Sequence, residues 1–332
     1  MGVKYDLKSQ FLRWVHCYEI VVTICYQYSS DMFLRKGKVG VDMESIEYEL
    51  DDFKDRKFWD KIFKDLHTSL PSNFESSFES FDIDSNALEL YKTRLLDEGY
   101  VQAPKLPWEN WFLNIREAIE LLERLNIPLP FIFVCCEPWW LLAKLHKILE
   151  KLFEGEYYLL PDFWVWHVDP NKKDAGWGVH RDRGPSSLFQ NGKPKSLTVW
   201  IPLTDATTEN GCMYVLPANH DTNYLDGATI KENIDLQDIV ALPAGAGSPI
   251  IWNQAIMHWG ARSLPRGKAP RISVAFEVQL AKVDPFNQPL IPPLSIPDFE
   301  TRLKLVCKQI LQYKHMYPLT ANVKSFAEEI LL

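Results

Sequence analysis

The sequence lacks the marks of several classes of protein. Its 332 residues include six cysteines but no C-x-x-C pair, and its net charge of −8 leaves no excess of basic residues. Cysteines spaced in this way in a chain of this length are typical of reduced, buried thiols rather than of a disulfide framework. The acidic balance argues against nucleic acid as the main partner, because phosphate backbones are bound by clustered Lys and Arg.

A long uncharged apolar run is also missing. The most apolar stretch near the N-terminus, 11–28, is interrupted by Arg13, His16 and Glu19, so it is too short to span a bilayer. It also lacks the basic start and small-residue cleavage site of a secretory signal. Asp6 stands where an N-myristoylation signal needs Ser or Thr. We therefore expect a cytoplasmic protein with no membrane partner.

What is present suits a folded core. Hydrophobic residues make up 46% of the chain and charged residues 24%, which is the balance of a globular protein. The length suits about two domains, or one domain with additions. Half of the 12 tryptophans lie in one stretch, at positions 164, 166, 177, 200, 252 and 259.

The first half of the chain has helical periodicity. Apolar residues three and four positions apart predict four helices, at 51–66, 86–98, 108–125 and 139–153. Gly99 is a natural stop for the second of these helices. The segment 68–86 is rich in Ser, Asp and Glu, which is typical of a linker or long loop.

After Gly155 the pattern changes to short β-rich runs separated by Pro, Gly, Asn and Asp. Five runs are predicted to be strands, at 162–169, 196–203, 212–216, 249–252 and 271–280. From Pro297 the helical period returns. This order predicts helices, then a β-barrel or jelly roll, then a helix, with the functional residues in the mouth of the barrel.

Two histidines and one aspartate suit a metal site. His180 and Asp182 are separated by one residue, so at a strand end both point to the same face. His258 lies far downstream, within 253–263. Two His and one carboxylate form the facial triad of non-haem Fe(II) oxygenases, which leaves coordination positions open. These three residues are therefore the predicted metal ligands.

A second His-x-Asp pair competes with the first. His167 and Asp169 follow a run with the composition of a core strand and precede a plain turn. His180 and Asp182 are instead flanked by glycines that allow close approach of a ligand, at 176, 178 and 184. We therefore prefer the later pair and interpret His167 as a hydrogen-bonded strand residue.

A carboxylate-binding pair is predicted at the start of the last strand. Arg271 and Ser273 share one strand face, and a guanidinium beside a hydroxyl binds a carboxylate with bidentate geometry. A lone Arg is more often a surface ion-pair residue, but this one opens an apolar run shortly after His258. Arg262 and Arg266 are alternatives for the same role.

With these residues in place, the stretch 176–277 resembles the phytanoyl-CoA dioxygenase family of Fe(II)/2-oxoglutarate oxygenases. The matching pieces are HRD at 180–182, LTVWIPLTDATTENGCMYVLPANH at 197–220, HWGARS at 258–263 and the strand that Arg271 opens. The most specific element runs from Asn210 to His220. The number of residues between His180 and this element is the one that the family shows, whereas the separation from His167 is too long. The resemblance does not cover the first 90 residues.

The resemblance implies a fold and a division of the chain. The fold would be mainly β, a cupin-like double-stranded β-helix or jelly roll with helices packed around it, α+β overall. The chain would divide into a helical N-terminal extension with a polar linker, the β-core and a C-terminal helical segment, at 1–90, 91–297 and 298–332.

The resemblance also implies a reaction. His180, Asp182 and His258 would hold Fe(II), and Arg271 with Ser273 would bind the far carboxylate of 2-oxoglutarate. O₂ would be the oxidant, and a small molecule would be hydroxylated with release of succinate and CO₂. Asp182 favours this outcome, because related halogenases replace that carboxylate with a small residue.

The roles of other residues stay open. Trp200 matches a position that walls the 2-oxoglutarate pocket, or is a plain core aromatic. Asn253 and Gln254 either line the pocket or satisfy backbone groups at a strand end, and His220 is expected to be structural. Trp177 and Trp259 either face an apolar substrate or simply pack.

The predicted mouth is also basic. This basic character suits an anionic substrate or, more simply, a solvated surface. The residues concerned are Lys172, Lys173, Arg181, Arg183, Lys193 and Lys195. Arg181 also departs from the small polar residue that several family members carry between the metal ligands.

Three other classes of function compete. A non-catalytic jelly-roll binding protein predicts an incomplete metal set, whereas this set is complete. A cupin metalloenzyme without 2-oxoglutarate predicts no carboxylate-binding Arg at the last strand. A pseudo-enzyme that uses residues 1–90 to bind a partner is compatible with the sequence.

Overall fold

The computed structural model describes residues 47–70, 81–227, 234–317 and 319–332. The apolar stretch 11–28, most of the predicted extension 1–90 and the middle of the predicted linker lie outside these residues. Within them, the segment Glu49–Leu332 forms one compact unit. The predicted boundaries at 90 and 297 stay predictions.

Two antiparallel sheets form the centre of this unit. The larger has the strand order β1-β6-β3-β8-β2 and the smaller the order β5-β4-β7. In the described part of the chain the strands are β1 (Tyr100–Gln102), β2 (Tyr157–Val168), β3 (Ser196–Pro202), β4 (Met213–Leu216), β5 (Val240–Leu242), β6 (Ile250–Asn253), β7 (Met257–Gly260) and β8 (Arg271–Leu280).

The two sheets pack face to face around a shared apolar cluster. Trp200, Ile250 and Ala275 come from the larger sheet, and Val215 and Leu242 come from the smaller one. From β5 to β8 successive strands alternate between the two sheets, which is the arrangement of a jelly roll. The predicted fold class, a jelly-roll core within an α+β chain, is confirmed.

All five predicted strands are present, and three more were missed. The missed strands β1, β5 and β7 have only three or four residues each, which is too short to show an alternating pattern. The strand β2 begins five residues earlier than predicted, at Tyr157.

Helices surround the sheets. Those described are α1 (Arg56–Ile62), α2 (Ser85–Asp97), α3 (Glu109–Leu125), α4 (Glu137–Ala143), α5 (His146–Phe153), α6 (Phe299–Gln312) and α7 (Ala321–Leu331). Asp84 caps α2 by accepting from two backbone N–H groups. Gly99 then adopts a φ of +85°, and a Cβ there would lie 3.1 Å from the amide nitrogen of Asn253, so the predicted stop is confirmed.

Two predicted helices are shorter than their apolar periods. The segment 51–66 forms a 3₁₀ turn and then α1, because Asp55 leaves the helical conformation and caps α1 instead. The segment 139–153 divides into α4 and α5 beside Lys144. The carbonyl of Lys144 accepts from Phe81 outside the helix, and its ammonium lies 4.9 Å from the ring centre of Trp108.

The helical layer covers one face of the large sheet. Phe133 contacts Phe163 on β2 and Phe276 on β8, with ring centres 4.3 and 5.4 Å apart. Because side chains alternate along a strand, the residues next to these phenylalanines face the opposite way, towards the smaller sheet. Among the described residues, no helix is both long and apolar enough to cross a bilayer.

Arg302 connects α6 to the rest of the helical layer. Its buried guanidinium donates to the carbonyls of Val134, Pro297 and Thr68 at 2.9, 2.6 and 2.6 Å. We predict that Arg302→Met lowers the free energy of unfolding by about 3 kcal/mol, because three carbonyls lose their charged donor. Urea denaturation checks this, with the exposed Lys304→Met on the same helix as the control. Equal losses for the two variants would contradict the prediction.

Candidate metal centre and its cavity

The two histidines of the predicted metal site are joined through their backbones. The N–H of His180 donates to the carbonyl of His258 at 3.1 Å, and the reverse bond is 2.9 Å long. This isolated antiparallel bridge attaches the loop before Asp182 to β7. It places the imidazole centres 4.3 Å apart.

Asp182 completes a compact donor set. Its Oδ1 lies 3.3 Å from Nε2 of His180 and 3.4 Å from Nε2 of His258. One ligand atom from each of the three residues lies within 4.8 Å of the others. The structure therefore brings together the three residues that the sequence selects.

Neighbouring groups orient each ligand. Nδ1 of His180 donates to the carbonyl of Gly178 at 2.7 Å, and Nδ1 of His258 donates to that of Ile256 at 3.2 Å. Both Nε2 lone pairs are then free for a metal, since a hydrogen bond at one ring nitrogen selects the tautomer. The backbone supplies both acceptors, so the orientation of the rings does not depend on other side chains.

The carboxylate of Asp182 is held from its far side. Thr198 donates to Oδ2 at 2.8 Å and the indole of Trp252 donates to it at 3.0 Å. Burial by itself raises the pKa of Asp182, but the charges and hydrogen bonds of His258 and His180 outweigh burial and hold this pKa well below its ordinary value. The group is therefore an anion, as metal binding requires.

The competing pair lies elsewhere. His167 is on β2 opposite Ile272, between positions that face the cavity, so it faces away. Its Nδ1 is buried and has no hydrogen-bond partner in the structure, so the predicted hydrogen bond is absent at that atom. Asp169 accepts from the N–H of Asn171 at 2.9 Å and so caps the turn that follows β2.

The metal centre opens into a cavity of about 210 Å³. Strand alternation explains much of its wall, since Arg271, Ala275 and Glu277 are even steps along β8. The lining residues are Trp164, Trp166, Trp177, His180, Asp182, Arg183, Thr198, Trp200, Met213, Trp252, His258, Gly260, Arg271, Ala275, Glu277, Tyr313, His315 and Met316.

Arg271 is a buried cation in this wall. It is 1% exposed, it donates to Ser273 at 2.9 Å, and its Nε is buried without a partner. Its guanidinium lies 5.7 Å from the ring centre of Trp200. Burial lowers the pKa of Arg271 to about 10, and no described carboxylate forms a salt bridge with it. A buried cation of this kind suits an anionic ligand.

The alternatives to Arg271 are outside the cavity. Arg262 is exposed and donates to the carbonyl of Lys173 at 3.0 Å. Arg266 is exposed and pairs with Glu209 at 2.9 Å. Neither lines the cavity.

Three further residues serve the scaffold. Asn253 accepts from the N–H groups of Ala255 and Ile256, which satisfies backbone at the end of β6. Gln254 donates to Thr198 at 3.1 Å behind Asp182. Neither lines the cavity. His220 lies 2.8 Å from Asp238, away from the metal centre.

The basic residues do not form a cluster at the mouth. Among the six predicted residues only Arg183 lines the cavity. Lys172 pairs with Glu123 and Lys193 with Glu154, at 2.7 and 2.6 Å. The expectation of a solvated surface is wrong for Arg181, whose side chain is 3% exposed and pairs with Asp221 at 2.7 Å.

Some cavity residues were missed by sequence reasoning. Glu277 continues the two-residue period of Arg271 and Ser273, so that pattern could have found it. Tyr313 and His315 follow α6 and carry no local signal, because only packing of the C-terminal segment brings them to the cavity. The structure also shows which of the six clustered tryptophans line the cavity. Five of the six line the cavity, whereas Trp259 stacks on Tyr214 at 5.8 Å.

Comparison with known proteins agrees with this arrangement. Residues 129–265 match the model of the phytanoyl-CoA dioxygenase (PhyH) family. The predicted resemblance is thereby confirmed, and the matched residues include His180, Asp182 and His258. No curated protein matches the chain.

Several solved structures are similar to this chain. The non-heme alpha ketoglutarate dependent epimerase SnoN from nogalamycin biosynthesis is 20% identical, with a TM-score of 0.49, covering 60% of this chain and 82% of its own. The non-heme monooxygenase ThoJ in its Ni complex is 14% identical, with a TM-score of 0.49, covering 71% and 99%. AviO1 from Streptomyces viridochromogenes Tue57 is 16% identical, with a TM-score of 0.46, covering 64% and 100%.

Glu277 makes the free energy of unfolding depend on pH. Burial, and then the charge of Asp162, raises the pKa of Glu277 from 4.5 to about 7. Between these values the folded protein holds a proton that the unfolded chain releases, so the unfolding free energy falls as the pH rises.

We predict that Glu277→Gln removes this decrease of the unfolding free energy with rising pH. The unfolding free energy of the metal-free variant minus that of the metal-free parent should therefore increase between pH 5 and pH 8, by on the order of 1–3 kcal/mol. Urea denaturation at both pH values measures the difference, with Glu328→Gln on α7 as the exposed control. A difference that is the same at both pH values would contradict the raised pKa.

Proposed function

We propose that this protein is an Fe(II)- and 2-oxoglutarate-dependent dioxygenase that hydroxylates a small-molecule substrate. One observation carries the proposal. Two imidazole Nε2 atoms and one carboxylate oxygen converge on a cavity whose wall also holds Arg271, a buried guanidinium without a carboxylate partner. A metal site and a carboxylate site in one cavity suit a cosubstrate that is bound at both ends.

The donor set fits Fe(II). Two neutral imidazoles and one carboxylate on one side of an ion are typical of non-haem Fe(II) oxygenases and leave positions open to the cavity. The groups behind the ligands are also of the expected kind, with backbone carbonyls behind His180 and His258 and two donors behind Asp182.

The overall reaction would convert substrate, 2-oxoglutarate and O₂ into hydroxylated substrate, succinate and CO₂. When bound, Fe(II) would supply the activation of O₂ that is coupled to loss of CO₂ from 2-oxoglutarate. One oxygen atom enters the substrate C–H bond and the other enters succinate, so atoms and electrons balance.

In this proposal the side chains of the protein bind the cosubstrate and orient the metal ligands. Arg271 and Ser273 would hold the far carboxylate of 2-oxoglutarate, and the ring centre of Trp200 lies 5.7 Å from that guanidinium. Thr198 and Trp252 keep Oδ1 of Asp182 turned towards the imidazoles. The aromatic wall excludes water from the reacting centre, which strengthens electrostatic interactions and limits side reactions.

Hydroxylation is preferred over other outcomes because Asp182 is present. A carboxylate in this position occupies the site that halogenation would need for chloride. A non-catalytic jelly roll or a pseudo-enzyme has no need for a complete donor set whose three members are each held by a further hydrogen bond. Product analysis by mass would separate hydroxylation, which adds one oxygen, from epimerisation, which adds none.

We predict that anaerobic addition of Fe(II) and then 2-oxoglutarate gives a visible charge-transfer band, because the 2-oxo acid chelates the metal. His180→Ala should abolish the band, whereas His167→Ala should retain it as the matched control. Absorption spectroscopy on folded protein measures both. No band in the parent protein would refute the proposed function, and a band lost only with His167→Ala would refute the choice of ligands.

We also predict that Arg271→Leu raises the KM for 2-oxoglutarate by about 100-fold, since a charged hydrogen-bonding partner is lost from a buried site. The exposed Arg262→Leu is the matched control and should leave this KM unchanged. Succinate release at varied 2-oxoglutarate measures both values. An effect of Arg262→Leu that equals that of Arg271→Leu would reassign the carboxylate site.

A further inference from the structure

Five aromatic side chains surround the part of the cavity above the metal centre. We call them the aromatic collar, and they are Trp164, Trp166, Trp177, Tyr313 and His315. Ring centres are 6.4 Å apart for Trp166 and Trp177, and 5.9 Å apart for Trp177 and His315. His315 and Tyr313 are 6.4 Å apart, and Tyr313 and Trp164 are 4.3 Å apart.

The collar closes on itself around the cavity. Trp164 and Trp166 are two residues apart on β2, opposite Ala275 and Ser273 of β8, so both side chains point to the cavity face. The chain of ring contacts therefore returns to its starting strand. Its distance to the metal centre is short, because the rings of Trp177 and His180 are 6.2 Å apart.

The collar borders the apolar core, against which Trp164 packs, but its rings are less buried than those of the core. Core aromatics such as Trp59 and Phe131 are fully buried, whereas the tryptophans and the tyrosine of the collar are half-buried and His315 is exposed. Large aromatic surfaces that face a cavity and are only half covered are typical of a ligand site.

Two buried carboxylates on the inner side of the collar share one guanidinium. Asp162 and Glu277 are both buried, and the guanidinium of Arg183 is shared between them, at 3.3 and 2.5 Å. Asp162 also accepts from the hydroxyl of Tyr313 and from the amide of Asn287. Lys308 also lies near Asp162, but its ammonium donates to Asn287 at 2.7 Å and to Gln312 at 2.9 Å. Among the described residues, Arg183 is therefore the one cation that forms an ion pair with either carboxylate.

The other charges of the cavity are accounted for by the proposed function. Asp182 would ligate the metal, and Arg271 would bind the far carboxylate of 2-oxoglutarate. Glu277 lines the cavity and is the carboxylate of the pair that a ligand could reach. Asp162 is fully buried and does not line the cavity.

We propose that the aromatic collar binds an alkylammonium group of the substrate, with Glu277 as the counter-ion. Faces of Trp and Tyr attract cations, and several such faces around one space form the usual site for a quaternary ammonium. A neutral flat substrate would use the rings but would leave Glu277 with only the guanidinium that it shares with Asp162. The inference rests on the proposed function only in taking the bound amine as the molecule that is hydroxylated.

The test compares a cation with its neutral isostere. Choline and 3,3-dimethyl-1-butanol have the same shape and differ in a charged nitrogen replacing a carbon. Isothermal titration calorimetry uses the full chain, both metal-free and loaded anaerobically with Fe(II) and 2-oxoglutarate. Choline should bind at least about tenfold more tightly than the alcohol, as expected for a desolvated cation on aromatic faces. Equal binding, tighter binding of the alcohol or no binding of either would overturn the proposal.

Variants locate the site. Trp166→Leu and Glu277→Gln should each weaken choline binding about tenfold, and Trp166→Phe should recover part of the loss. Trp259→Leu is the matched control, since Trp259 packs on Tyr214 outside the cavity, and it should leave choline affinity unchanged. A loss with Trp259→Leu as large as with Trp166→Leu would overturn the assignment to the collar.

The charge-transfer band separates the two proposals. It also shows that each variant is folded with an intact metal centre. A band together with no preference for choline would overturn the alkylammonium site and leave the oxygenase proposal standing. A preference for choline without a band would overturn the oxygenase proposal and leave the alkylammonium site standing.

Discussion

The two backbone hydrogen bonds between His180 and His258 are the contact on which the site depends. They attach a loop to β7, so ligands that are far apart in sequence share one backbone geometry. Because the same loop continues to Asp182, one short bridge sets the positions of all three donor atoms. Side-chain orientation then follows from nearby acceptors and donors, so the fold itself preorganises the candidate metal site.

A second constraint comes from charge in a closed space. Arg271, Arg183, Asp162 and Glu277 lie on the inner side of the larger sheet and are largely removed from water. Burial of unpaired charge is costly, so each such group needs a partner within the protein or from a ligand. Arg271 lacks a carboxylate, and Arg183 serves two of them. The imbalance points to an anion at one end of the cavity and a cation at the other.

Individual elements show where sequence reasoning works and where it stops. The strand β8 is long, and its alternation correctly predicts that Arg271 and Ser273 share a face. The helix predicted over 139–153 is wrong as one element, because the carbonyl of Lys144 bonds to a distant segment. A period along the chain reports burial, but it does not reveal a hydrogen bond that leaves the helix. The strand β7 carries His258 and was missed because four residues show no period.

The sequence by itself determined which residues have the chemistry for a metal and a carboxylate. Spacing by two on a strand, glycines nearby and a fixed order of motifs are all local properties. Only the tertiary structure decided that Tyr313 and His315 close the cavity, that Arg183 joins Asp162 to Glu277, and that Trp259 turns away from it. Such contacts join segments whose separation along the chain has no fixed relation to distance, so they depend on how the sheets and the C-terminal segment pack.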